Sequence, residues 1–239
     1  MEQTTNSVTE KAFRDGMHRR KFLGILGGTA SVTVVVAACT KNNSNGSPYD
    51  GSVIEADGTV NLGRGDTGIL NYAYALEQLE AAFYTKVITD SAAAFTAAEL
   101  SLLTDIRDHE IAHREFFKAA LSTKAIPALT VNFSAINFTD RASVLGAAKT
   151  FEDLGVTAYN GAGKLIVSPD YLLLAGKIVS VEARHAAFIR DMVNYGSFAA
   201  SDVVDATTGL DGKNDPSTVL AAASSFLTTK VSGSNLPTM

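Results

Sequence analysis

Two octapeptides, "EIAHREFF" (residues 110–117) and "EARHAAFI" (residues 182–189), share one layout: glutamate, histidine three residues on, phenylalanine six residues on. The chain has only four histidines, His18, His109, His113 and His185, so two of them fall in this pattern. Both stretches lie in helical sequence, where positions i and i+3 are neighbours on one face. Each therefore offers a carboxylate and an imidazole side by side.

A second matched pair lies upstream of each octapeptide. "ALEQLEAAFY" (75–84) and "TFEDLGVTAY" (150–159) both set a tyrosine seven residues after a glutamate, Glu77 to Tyr84 and Glu152 to Tyr159. The offset between copies is 75 residues for this pair and 72 for the glutamate–histidine pair. One helical hairpin thus reads as a diverged copy of the other.

Around these motifs the apolar periodicity predicts four long helices, at about 66–89, 96–124, 139–166 and 168–196. Asp66 is the expected N-cap of the first. Thr96 and Glu99 form a capping box for the second, with Phe95 and Leu100 as its staple. Ser168, Pro169 and Asp170 open the fourth, and Gly196 is its expected C-cap. Strand signals are weak throughout. The connection 125–138 is long enough, at fourteen residues, to run the length of a bundle. The expected fold is all-α: an antiparallel four-helix bundle (66–196) of two helical hairpins joined by a long crossover. A tail (197–239) follows, with a short helix starting near Pro216.

Helical rise brings the motifs to one level. From Glu77 the first helix climbs roughly 18 Å before the turn, and the second needs roughly 21 Å to return to Glu110; the same holds from Glu152 to Glu182. Four carboxylates and two imidazoles then meet at mid-bundle. Buried carboxylates cost several kcal/mol each unless paired, and few cations face inward in these segments. Two divalent ions supply +4 against −4. One glutamate from each of two helices plus Glu-x-x-His from each of the other two is the di-iron or di-manganese carboxylate pattern.

On these motifs the sequence resembles the ferritin-like superfamily, and more closely bacterial secreted ferritin-like domain proteins. The stretches "ILNYAYALEQLEAAFY" (69–84), "FEDLGVTAY" (151–159), "LLLAGKIVSVEARHAAF" (172–188) and "VLAAASSFL" (219–227) carry the likeness. The resemblance implies Glu77, Glu110, His113, Glu152, Glu182 and His185 as ligands of two divalent ions, iron or manganese, with Glu110 and Glu182 bridging. It implies redox chemistry with dioxygen or peroxide, in metal oxidation or protection against oxidative stress, of a di-metal oxidase or peroxidase type. No catalytic residue is assigned beyond the ligands. The chain lacks a CxxC pair, so no rubredoxin-like module is fused to it, and an electron donor is not identified.

Several neighbours have more than one reading. Glu80, one turn from Glu77, is an alternative ligand, although its repeat partner is Gly155. His109 adjoins Glu110 but matches Val181, and reads as solvated or as a residue behind the ligands. Tyr84 and Tyr159 are core tyrosines or hydrogen-bond partners of ligand carboxylates. Arg184 is solvated or paired with a carboxylate such as Asp108.

The N-terminus points to export. "HRRKFLGILGGTASVTVVVAAC" (18–39) has Arg19–Arg20, an apolar run diluted by small residues, and Val36-Ala37-Ala38-Cys39 at its end. This is the twin-arginine pattern joined to a lipobox, so residues 1–38 are an expected signal peptide and Cys39 an expected lipidated N-terminus. Removing 1–38 takes the net charge from −5 to −7, because five Lys/Arg and three Asp/Glu leave with it. The polar stretch 39–65 reads as a flexible tether. The expected location is a membrane-anchored lipoprotein on the periplasmic side or cell surface, a setting that does not suit a closed iron-storage cage. A negative net charge does not suggest a nucleic-acid partner, a lone cysteine builds no disulfide framework, and a homodimer is compatible with the pattern. The rival reading is a non-catalytic surface binding or stress-protection module with a structural or vestigial metal site.

Overall fold

The computed structural model describes residues 51–238. The expected signal peptide, Cys39 and the first part of the tether lie outside the described residues. Four long helices dominate: α1 (Gly65–Asp90), α2 (Ala97–Leu121), α3 (Arg141–Gly163) and α4 (Pro169–Val193), followed by the short α5 (Pro216–Ala223). Among the described residues, no helix is long and apolar enough to cross a membrane.

Local chemistry sets the helix ends. Thr96 accepts from the Glu99 N–H while the Glu99 carboxylate accepts from the Thr96 N–H, closing the capping box. Asp140 caps α3 through the N–H groups of Ala142 and Ser143. Ser168 caps α4, with Pro169 in its first turn. Two expected caps differ. Asp66 lies inside the first turn of α1, and its carboxylate accepts from the N–H groups of Val167 and Ser168 at 2.8 Å each, tying α1 to the turn before α4. Helix α4 ends with Asn194 as its C-cap; Gly196, at φ +83°, turns the chain two residues later.

Helix α1 is the central column. It is buried along most of its length, polar Asn71 and Gln78 included, as a helix covered on all sides must be. α2 and α3 cover two of its faces, and the crossover covers another. Two α1 side chains hold that crossover. Asn71 donates to the carbonyls of Leu62 and Lys124 and accepts from the Ile126 N–H. Gln78 donates to the Pro127 carbonyl and accepts from the Leu129 N–H. Phe133 and Phe138 then plug into an aromatic cluster with Phe83 and Phe151. The long connection is thus a strap bonded down at intervals.

Asn71→Ala would remove the hydrogen bonds to the Ile126 N–H and to the carbonyls of Leu62 and Lys124. The expected loss is about 3 kcal/mol, roughly 6–12 °C in melting temperature. Thermal unfolding followed by circular dichroism reads it; an unchanged midpoint would mean the strap is not held there.

Part of the expected tether is structured. β1 (Val53–Ile54) pairs antiparallel with β2 (Val60–Asn61), which pairs parallel with β3 (Val231–Ser232) near the C-terminus. Val60, Asn61 and Leu62 are buried. The tail is anchored at a second point by Arg190, buried at 3% exposure, whose guanidinium donates to both Asp153 and Asp202. At Gly161 a Cβ would lie 1.8 Å from the Asn214 carbonyl oxygen, so the tail packs against α3 only because that position is glycine.

Candidate metal centre

Each of the four long helices sends a carboxylate to the same level. Glu77 of α1, Glu110 of α2, Glu152 of α3 and Glu182 of α4 are all at 0% exposure. His113, one turn after Glu110, and His185, one turn after Glu182, join them. The donor atoms form two groups: Glu77, Glu110, His113 and Glu182, and Glu110, Glu152, Glu182 and His185. Within each group one atom per residue lies within 4.8 Å of all the others, and Glu110 and Glu182 belong to both.

The donors face one another in close ion-pair contacts whose angles are not those of hydrogen bonds. His113 Nδ1 stands 2.9 Å from Glu182 Oε1 and 3.4 Å from Glu77 Oε2. His185 Nδ1 stands 2.7 Å from Glu110 Oε1 and 3.6 Å from Glu152 Oε2. Yet neither Nδ1 meets hydrogen-bond geometry, nor do Glu77 Oε2, Glu152 Oε2 or either carboxylate oxygen of Glu110 and Glu182. Of ten buried side-chain polar atoms without a partner among the described residues, eight belong to these six side chains. Buried polar groups are normally satisfied. A concentration of unpartnered lone pairs in two overlapping groups is a donor set that could hold metal ions.

The remaining atoms of the same residues are held. Tyr84 of α1 donates to Glu152 Oε1 of α3 at 2.5 Å, and Tyr159 of α3 donates to Glu77 Oε1 of α1. Each tyrosine therefore crosses to the other hairpin's glutamate, an exchange that the shared seven-residue spacing does not reveal. His109 Nδ1 lies 2.9 Å from His185 Nε2 and fixes that ring from its outer side. No histidine stands at the matching place on α4, where Val181 follows the repeat, so this support is one-sided. Arg184 is exposed, the solvated one of its two readings, and the Asp108 carboxylate is taken by Arg107.

Glu80 is buried at 3% exposure and sits beside the cluster, outside both groups of converging donors. A Cβ at position 155 would lie 3.0 Å from Glu80 Oε1 and 3.3 Å from Glu182 Oε2. Gly155 is thus the space the fifth carboxylate occupies, and the absence of a repeat partner for Glu80 is complementarity between two helices.

Electrostatics show what protons do here in the absence of metal. Burial raises Glu182 and Glu80 well above the usual carboxylate range, and neighbouring carboxylates add to the rise. Burial also lifts Glu77, to about 7. For His185, burial favours the neutral ring, but Glu152 and Glu110 overturn this and push it up to about 11. His113 is driven upward in the same way by Glu110, Glu182 and Glu77. Glu110 alone is held low, at about 2, because the two imidazoles outweigh its burial. Protons on the rings and on some carboxylates take the place of cations.

Residues 65–195, over half of the chain, match the family model described as a ferritin-like domain. No curated protein matches the chain.

Proposed function

The chain belongs to the ferritin-like domain family, and from that premise we propose that its bundle binds two divalent ions, iron or manganese, for redox chemistry with dioxygen or peroxide. The supporting observation is the set of eight orphaned donor atoms in two groups that share Glu110 and Glu182. In this reading Glu77 and His113 would hold one ion and Glu152 and His185 the other, with Glu110 and Glu182, which belong to both groups, available to each. Bound ions of this kind supply electrons one at a time and polarise an oxidant. The chain's own contribution is placement. Tyr84 and Tyr159 orient the terminal carboxylates, His109 orients His185, and the apolar core around them keeps bulk water out. Glu80 is a buried acid beside Glu182, placed to hold a proton close to the donors.

The direct test is to load the protein with Fe(II) anaerobically and then add dioxygen or peroxide. Oxidation faster than that of free Fe(II), with a ligand-set spectrum absent from a Glu110→Ala variant, is expected. Oxidation at the rate of free iron would leave only a structural site.

The tyrosines give a graded test. Tyr84→Phe and Tyr159→Phe each remove a hydrogen bond to a terminal carboxylate and nothing else from the cluster. Each is expected to weaken metal binding about 10–100-fold, read by competition with a chelator. Equal affinity for wild type and both variants would mean the carboxylates are held by other contacts.

We also propose that the protein is exported folded by the twin-arginine route and tethered by lipid on Cys39. Its sequence signals support this, and metal loading before export fits binding coupled to folding. Intact mass of membrane-purified protein should show loss of residues 1–38 and an added acyl mass. A soluble form with unmodified Cys39 would exclude the tether.

A further inference from the structure

An apolar cavity of about 20 Å³ lies inside the bundle, toward the end where α1 and α4 begin and α2 and α3 finish. Ala73 of α1, Phe117 of α2, Ala162 of α3 and Ala175 of α4 help form its wall. Tyr159 belongs both to this wall and to the cluster, because its ring lines the cavity while its hydroxyl donates to Glu77. The void therefore adjoins the donor set across a single aromatic ring. Its outer edge runs between α2 and α4, where Phe116, Ala120 and Leu174 are only half-buried.

The wall chemistry decides the guest. It is hydrocarbon and aromatic apart from the tyrosine hydroxyls, and that of Tyr159 is already committed. Tyr72, at 1% exposure, also lines the cavity and has a hydroxyl without a partner. A buried water needs two to four polar partners, and apolar cavities that lack them stay dry and admit apolar gases instead. At about 10–15 Å³ for each water-sized probe, a volume of this order holds a molecule of one or two heavy atoms. Peroxide carries two O–H donors, of which the single unpartnered hydroxyl of Tyr72 could accept at most one. Dioxygen carries none.

We propose that this cavity is a holding site for dioxygen beside the carboxylate–histidine cluster, and that it favours dioxygen over peroxide as the oxidant. The proposal rests on the redox reading above and names its co-substrate. Tyr159 is the positioning residue at the boundary, holding Glu77 on one side and closing the cavity on the other.

Xenon is the probe, used on the metal-free chain so that no activity is needed. A xenon titration followed by NMR should show saturable binding in wild type and loss of it in Ala162→Val, which fills the cavity. Ala120→Leu at the half-buried edge serves if the valine overpacks; melting curves confirm that both variants fold. In iron-loaded protein the same variants should oxidise Fe(II) several-fold more slowly with dioxygen and at the wild-type rate with peroxide. Absence of saturable xenon binding in wild type, or equal slowing with both oxidants, overturns the proposal while the metal reading stands. Xenon binding by a chain that takes up no iron sinks the redox reading and the dioxygen assignment with it.

Discussion

Chelation of the metal-loaded protein at pH 7 is expected to lower its melting temperature by roughly 8–16 °C. A ligand that binds only the folded state contributes RT ln(1 + [L]/Kd), about 4 kcal/mol at a thousandfold excess over Kd. The sign of the pH dependence follows from the buried groups. Glu77, raised to about 7, gives the metal-free fold stability that is complete below the unfolded carboxylate range and lost as pH rises through 7. His185, raised to about 11, gives stability that is complete below the unfolded imidazole value and lost as pH climbs toward 11. Glu110, held at about 2, works the other way, but its contribution is lost only in strong acid. Metal-free protein should therefore melt higher at pH 5.5 than at pH 8. Metal affinity falls over the same descent, because donors must shed protons to bind. The gap between loaded and metal-free protein should close toward pH 5. A gap that widens in acid would contradict this account of the cluster.

His113→Ala and His185→Ala are expected to lose an ion each, since each removes the nitrogen donor of one group. His109→Ala should keep both ions and bind the one at the His185 position about 10–100-fold more weakly, because it withdraws only the support behind His185. Metal content and chelator competition separate the two outcomes. Loss of an ion from the His109 variant, with full retention in the His185 variant, would place the α2 nitrogen ligand one turn earlier, at His109, and overturn the register assigned to α2 and α4.

Much of this was legible in the sequence, and the remainder was hidden for identifiable reasons. Helix positions followed from periodicity and capping chemistry, most clearly at Thr96/Glu99 and Ser168/Pro169. The six converging side chains followed from an internal repeat and helical rise. Asp66 has the composition of a cap, but a backbone 101 residues away presents better-placed N–H groups; no local pattern encodes that. The strands are two residues each, too short to show alternation, and are assembled from opposite ends of the described chain. Glu80 reads from the sequence only as an alternative ligand because its repeat partner is Gly155, whereas the missing side chain there is what admits its carboxylate. Departures from internal symmetry were as informative as the symmetry itself. The exchanged tyrosines, Tyr84 to Glu152 and Tyr159 to Glu77, needed coordinates, since spacing along one helix cannot say which hairpin receives a hydroxyl.

Metal stoichiometry is the most direct measurement. Protein reconstituted anaerobically with Fe(II) or Mn(II) and freed of excess should carry two ions per chain by elemental analysis. Glu110→Ala and Glu182→Ala should each disturb both positions, because these two residues belong to both donor groups. Two ions in wild type with both lost or weakened in either variant is the predicted result. A wild-type chain that retains no ion after reconstitution would contradict the dinuclear centre.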